Sequence, residues 1–467
     1  MKRILYKPLK ITFICLLFAA VLSCKSDDDS VFDQTPTERK NQSRMELENL
    51  LQGSEGFKVV YFPKDAQYGG FLFYMKFDEE GNVEMISNID DEEAFVSSKY
   101  EVRSASATEL VFTTPNSIHK LSDNRTPGLI GTGYEGHSQF QFKNVNEEGD
   151  LIFGDLRSEG KMVLEPVGQD VLDNAIELIE ESRDKRTKLT SSPQSSVFQT
   201  LEFKVGDQNA TFDLNFDILT QFAEPFGVTV ESPFGGRFDE FGIAFTPDGL
   251  VVSPAITYAG AEFKEFTYDE DEDVFKSEVN GSTAIIGKAG RPGFITDDYL
   301  DVFEKDGGYP IIGYRPYSWG DNALTSSGFN ALWDAVDANL TTLGAGFRLE
   351  YFQFNLSNID EGGCESYFIL FFRRLSDGGV FRADFCFTKA VLDDKLVFID
   401  YEGPANGNAS YIESDVMPLL EFFASENGLV VTLEGSFSTN LLSYTNESGT
   451  FTSLDNPSQR VYVIYFN

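Results

Sequence analysis

From residue 56 onward, apolar and polar side chains alternate with a period near two over much of the chain, the spacing that turns one strand face to a core and the other to water. Phe57 to Phe62 and Gly70 to Phe77 are aromatic and β-branched, and Asp78-Glu79-Glu80-Gly81-Asn82 closes the second onto Val83 to Ile86. The same reading predicts strands at Lys99 to Arg103, Glu109 to Thr113, Ser138 to Lys143, Leu151 to Phe153 and Lys161 to Glu165. It resumes at Gln199 to Val205, Ala210 to Phe216, Gly242 to Phe245 and Leu250 to Ser253. Three stretches step by three and four instead. They are Arg44 to Gln52, with Ser43 as N-cap and Gly53 as stop; Val171 to Arg183; and 326–343, where Phe329, Leu332, Trp333, Val336 and Leu340 share a face. Trp333 is expected in a core.

The polar stretch Asp184 to Ser196 separates the two sets of strands. The predicted fold is mainly β: two antiparallel β-rich lobes of barrel or sandwich type with a few covering helices, one over 44–192 and one over 193–467, the second carrying the inserted helix 326–343. Gly346-Phe347-Arg348-Leu349-Glu350-Tyr351-Phe352 echoes Gly56-Phe57-Lys58-Val59-Val60-Tyr61-Phe62. Either a helix-then-strand unit occurs twice, or two aromatic strands coincide by chance.

Charge narrows the partners. Lys+Arg total 37 against 75 Asp+Glu, a net charge of −38 that repels nucleic-acid phosphates, so no nucleic-acid partner is expected. With 41% hydrophobic and 14% aromatic residues the chain can bury sizeable cores, which excludes disorder throughout.

The N-terminus carries an address. Lys2, Arg3, Lys7 and Lys10 precede the apolar run Ile11 to Leu22, then Ser23 and Cys24, the layout of a signal peptide over 1–23. The run is too short to cross a hydrocarbon core of ~30 Å. Ser23 before Cys24 resembles the lipobox of bacterial lipoproteins, with Leu22 where a small residue is usual, so Cys24 is expected as the lipid-bearing (palmitate) mature N-terminus. An ordinary secretory signal with an incidental Cys is the alternative. Residues 24–43 hold few apolar side chains and are expected as a flexible acidic tether. Within it Lys25-Ser26-Asp27-Asp28-Asp29 resembles a surface-export signal, and Asp29-Ser30-Val31 fits an O-glycosylation acceptor at Ser30. The acyl group on Cys24 is the only non-protein group expected, with no cofactor and no metal.

Cys364 and Cys386 then remain in an oxidising compartment. A two-residue turn at Asp377-Gly378 would set Cys386 opposite Ile369, too far from Cys364 to bridge unless the chain folds back at Gly362-Gly363 or a strand bulges. Two buried thiols are expected.

Catalytic chemistry finds little material. His119 and His137 are the only histidines, and neither stands in His-Glu-x-x-His. Gly136-His137-Ser138-Gln139-Phe140 begins like a nucleophile elbow but has Phe where the turn needs Gly. Asp269-Glu270-Asp271-Glu272-Asp273 lacks the glycine and glutamate of a calcium loop, having Val274 and Asn280, and is read as a solvated turn. A carboxylate-dependent glycoside hydrolase stays as an alternative, but no pair among 75 acids stands out, and no enzyme is expected. One irregular segment, Gly307 to Asp321, concentrates rings: Tyr309, Tyr314, Tyr317 and Trp319, with Arg315 among them, are candidates for binding a glycan or peptide. The competing reading is a loop whose aromatics plug a barrel end.

Leu50-Leu51-Gln52-Gly53, Gly56 to Pro63, Gly69-Gly70-Phe71, Met75 to Val83, Phe245 to Leu250 and the Trp333 helix together are similar to an uncharacterised family of Bacteroidota-type lipoproteins known as a domain of unknown function. The resemblance implies an outer-membrane, exterior-facing lipoprotein, held to the bilayer by its acyl anchor and accompanying a TonB-dependent transporter. It brings no catalytic motif. The expected role is a non-catalytic binding or accessory component of nutrient uptake, with an adhesin or structural surface lipoprotein as the alternative.

Overall fold

The computed structural model describes residues 35–64, 67–126, 129–155, 160–190, 192–227, 240–303, 311–356 and 363–466. Cys24, Ser30 and Tyr309 lie outside these residues.

The first unit is a closed antiparallel barrel of β1 (Gly56–Phe62), β2 (Phe71–Phe77), β3 (Asn82–Ser87), β4 (Val96–Ser104), β5 (Thr108–Phe112), β6 (Gln139–Val145), β7 (Leu151–Asp155) and β8 (Lys161–Val167). Each strand pairs with the next, and β1 meets β8 from Gly56↔Val167 to Phe62↔Lys161, so no edge is left open. Alternation sends Phe57, Val59 and Tyr61 inward, where Phe73, Met75, Phe140 and Met162 fill the barrel. Helix α1 (Pro36–Gln52) adds Leu47 and Leu51 to this core. It starts earlier than the pattern predicts. Thr35 and Glu38 form a capping box and Pro36 opens the first turn, so 36–43, expected as tether, are helical. A short α2 (Ser117–Lys120) lies between β5 and β6.

After α3 (Gln169–Asp173), α4 (Ala175–Leu189) buries Ala175 and Ile179 on Leu72, Tyr74 and Ile86 of the first barrel. The helix continues past Arg183, and Leu189 enters the core of the second barrel. The polar stretch from Asp184 is therefore half helix.

The second barrel has β9 (Phe198–Val205), β10 (Gln208–Asp217), β11 (Phe222–Gly227), β12 (Phe241–Thr246), β13 (Gly249–Tyr258), β14 (Ala261–Asp269), β15 (Val274–Val279) and β16 (Ser282–Ala289), closed by β16 on β9. Hydrogen bonds join the barrels, backbone to backbone and side chain to backbone. Gly69 N–H donates to the Thr220 carbonyl at 2.7 Å, Gly70 N–H to Ile243 at 3.1 Å, and Asn88 Nδ2 to Phe245 at 3.3 Å.

The third unit is an antiparallel sheet ordered β21-β22-β24-β25-β26-β17-β18-β19-β20-β23. Its strands are β17 (Ile311–Tyr314), β18 (Phe347–Asn355), β19 (Ser366–Arg374), β20 (Val380–Phe387), β21 (Val391–Asp393), β22 (Leu396–Phe398), β23 (Tyr401–Pro404), β24 (Leu429–Ser438), β25 (Ser443–Ser453) and β26 (Arg460–Phe466). The helices of this part are α5 (Asp298–Phe303), α6 (Pro316–Trp319), α7 (Ser327–Thr342) and α8 (Gly407–Phe423). α7 and α8 cover one face, where Phe329, Trp333, Leu340, Val416 and Phe423 meet Phe352, Phe368 and Phe385. The mainly β, antiparallel architecture is as the pattern predicts, and of the barrel and sandwich alternatives two closed barrels are found. The region expected as one lobe over 193–467 instead holds a barrel and a separate sheet with its own core.

Cys364 and Cys386 form a disulfide, against the expectation of two thiols. The hairpin turn is longer than two residues, with Arg374 N–H bonded to the Gly379 carbonyl, and this slides the register so that Cys386 pairs with Tyr367. Gly363, at φ +91°, turns Cys364 back to a Cα separation of 5.2 Å.

Candidate functional site

The face of the third sheet opposite α7 and α8 is built by alternation and one irregularity. On β17, Ile312 and Tyr314 join the helix-side core, and Gly313 and the next residue after the strand, Arg315, fall on the other side. On β18, Leu349 pairs with Phe372 but Tyr351 pairs with Phe371, so Glu350 is an extra residue. That bulge rotates Tyr351 away from the face shared by Leu349 and Phe352.

Two arginine–tyrosine pairs cross between these strands and α6. The Arg315 guanidinium lies 4.9 Å from the Tyr351 ring centre, and Arg348 lies 4.0 Å from that of Tyr317. Tyr351 also stacks on Phe371 with centroids 4.2 Å apart. Among the described residues neither Arg315 nor Arg348 has an ion pair, whereas Arg373, Arg374 and Arg382 of the same sheet hold Glu350, Asp377 and Asp384. Nε of Arg315 is buried without a hydrogen-bond partner. Asp337 feels the Arg348 charge, but its Oδ1 accepts the Leu349 N–H at 2.6 Å; burial holds its carboxyl above the usual range despite both. The arrangement presents two guanidinium groups without an ion pair among the described residues, fixed on rings, in a chain rich in acids. Such forks bind carboxylates in bidentate fashion.

The sequence candidates are placed unequally. Arg315 and Tyr317, the latter 45% exposed, belong to this patch. Tyr314 is a correction. It is buried against Phe329, Trp333 and Phe352, because strand alternation turns it inward. Trp319 is no free platform: on α6 it packs against Phe437 and Phe466 and caps a small cluster with Tyr462 and Ile464. A cavity of about 10 Å³ beside it holds at most one water. The segment read as irregular is a strand and a helical turn where it is described.

Arg348, Tyr351 and Phe371 were missed. The signal for Arg348 and Tyr351 was present in the echoed heptapeptides, where Lys58 and Tyr61 occupy the matching places. Tyr61 lies inside the first barrel and Lys58 pairs with Glu165 at 3.2 Å, because β1 shows no register shift against β2 or β8.

Other chemistry is structurally engaged. His119 Nδ1 meets Asn116 Oδ1 at 2.8 Å and His137 Nε2 lies 3.5 Å from Asp155. Burial pushes the Glu434 carboxyl up, but Thr450 donates to it and the half-buried Arg460 lies close enough to offset this with its charge. A shallow groove of about 640 Å³ over β14 and β15 mixes Glu262, Glu265 and Glu278 with Lys264 and Lys276, a solvated face. Asp269 accepts the N–H groups of Asp271 and Glu272, so the acidic loop is a hairpin turn. No three His, Cys, Asp or Glu side chains among the described residues converge as a metal site.

Residues 28–270 match the family described as Domain of unknown function (DUF4302), just over half of the chain. The chain belongs to that family. The DUF4302 match spans the first barrel and the second through β14, and the arginine–tyrosine patch lies beyond it. No curated protein matches the chain. Among solved structures, a beta sliding clamp of C. crescentus is 10% identical over 91% of this chain and 97% of its own, with a TM-score of 0.16. A DNA polymerase sliding clamp from Pseudomonas aeruginosa is 12% identical over 92% and 98%, also at 0.16. Likeness at this level transfers nothing to the DUF4302 chain.

Proposed function

We propose that this chain is a lipid-anchored, non-catalytic binding protein on the outer surface of the outer membrane, serving nutrient uptake beside a TonB-dependent transporter. The observation that carries the binding role is the pair of arginines, Arg315 and Arg348, held on Tyr351 and Tyr317 without carboxylate partners. A cation resting on a ring and free of an ion pair is a prepared contact for a ligand carboxylate. The Cys364–Cys386 disulfide fits an exported protein, and the layout of 1–24 supplies the anchor.

The test uses whole cells. Cys24→Ala is expected to leave the membrane fraction, and protease added to intact cells is expected to digest the native chain. A Cys24→Ala protein still firmly in the membrane would overturn the anchor, and complete protection of the native chain would overturn the surface placement.

A further inference from the structure

Resting on the binding role above, we propose that the Arg315–Arg348 patch takes a carboxylate-bearing glycan, a segment of a uronate-type polysaccharide. Three features select that class. The two guanidinium groups offer planar forks of N–H donors matched to a carboxylate, and the neighbouring Glu350 is already taken by Arg373 at 2.6 Å. Tyr317 is exposed beside Arg348, giving the ring contact that a sugar face uses.

The third feature argues against a peptide. Extended peptides dock on free strand edges, where main-chain groups are unpaired. β17 is paired on both sides, from Ile311↔Phe466 to Gly313↔Ile464 with β26 and from Ile311↔Asn355 to Tyr314↔Phe352 with β18. β18 is in turn paired with β19 through Asn355↔Tyr367. The patch therefore sits mid-sheet and offers side chains only, which suits a chain that presents hydroxyls and carboxylates and no backbone ladder.

The acids that face the patch set its selectivity. Asp337 lies close enough to Arg348 to feel its charge, and Glu350 is on the bulge. They repel a polyanion of high charge density while leaving two fixed positive positions for spaced carboxylates.

The experiment is calorimetry on the detergent-solubilised full chain with polygalacturonate, neutral pullulan and poly-glutamate as probes. Polygalacturonate is expected to bind, with pullulan and poly-glutamate at least about tenfold weaker. Arg348→Gln and Arg315→Gln are each expected to weaken polygalacturonate binding by roughly tenfold, at unchanged denaturation midpoints. Arg348→Lys, which keeps charge but loses the fork, is expected to recover only part of it. Equal binding of pullulan, or preference for poly-glutamate, would overturn the uronate assignment while leaving a binding protein. Polygalacturonate binding indifferent to both arginine variants would overturn the site. No binding of any probe would overturn the inference, and the anchoring and surface tests would then decide separately whether the broader reading stands.

Discussion

The two tryptophans separate what a ring does inside a fold from what it does at a margin. Trp333 is 2% exposed on the helix-side core of the third sheet, whereas Trp319 closes a small cluster on the opposite face. Trp333→Ala is expected to cost roughly 3–5 kcal/mol through the cavity it leaves, and Trp319→Ala about 1–2 kcal/mol, read from paired denaturant midpoints. Asp337 adds a pH signature. Its folded pKa is raised above the ordinary 3.8 by burial, so its carboxylate form opposes folding above that window and the penalty is relieved as pH falls through it. Asp337→Asn keeps an acceptor for Leu349 and is expected to flatten the pH dependence of stability just above 3.8, checked by urea titrations from pH 7 to 4.

At the element scale, small changes of register decide which chemistry is exposed. One extra residue at Glu350 turns Tyr351 outward, while its counterpart Tyr61, on a strand without that insertion, ends at 0% exposure inside a barrel. The β19–β20 hairpin shows the same sensitivity. A longer turn slides the pairing, and the cysteines that a two-residue turn would separate are joined across 22 positions of sequence. Replacing both Cys364 and Cys386 by Ser is expected to cost about 3 kcal/mol by freeing that loop in the unfolded chain. Chemical denaturation of the double variant should match that of the native chain under reductant. Helix α8 went unread because Pro418 stands inside it, although Ile412, Val416, Leu419 and Phe423 keep helical steps and Asn406 caps it.

At the scale of the molecule, the barrels are welded by main-chain contact. A Cβ at Gly69 would run into Gln221 and the Ile243 carbonyl, so only glycine permits the approach that places Gly69 N–H on Thr220. Gly69→Ala is expected to destabilise both barrels together by about 1–3 kcal/mol, seen as one shifted transition by probes in each. Two separated transitions would show that the barrels unfold independently. α4 strengthens the same junction. Its first turns lie on the first barrel, Leu189 enters the second, and an Arg186 Nη donates to the Ile218 carbonyl at 2.9 Å.

The class of fold was legible in the pattern of residues. Period-two alternation located all eight strands of the first barrel and the core role of Trp333, because alternation and helical stepping are local properties of a chain. It also named Arg315 and Tyr317 as site candidates. Long-range packing set the rest: the second region holds two units, Tyr314 is core, the cysteines pair, and Arg348 and Tyr351 complete the patch. Each of these depends on closure, bulge or register, which are fixed by contacts between residues far apart in sequence. Local pattern assigns a side chain to a strand; the partners across the sheet determine which face it shows.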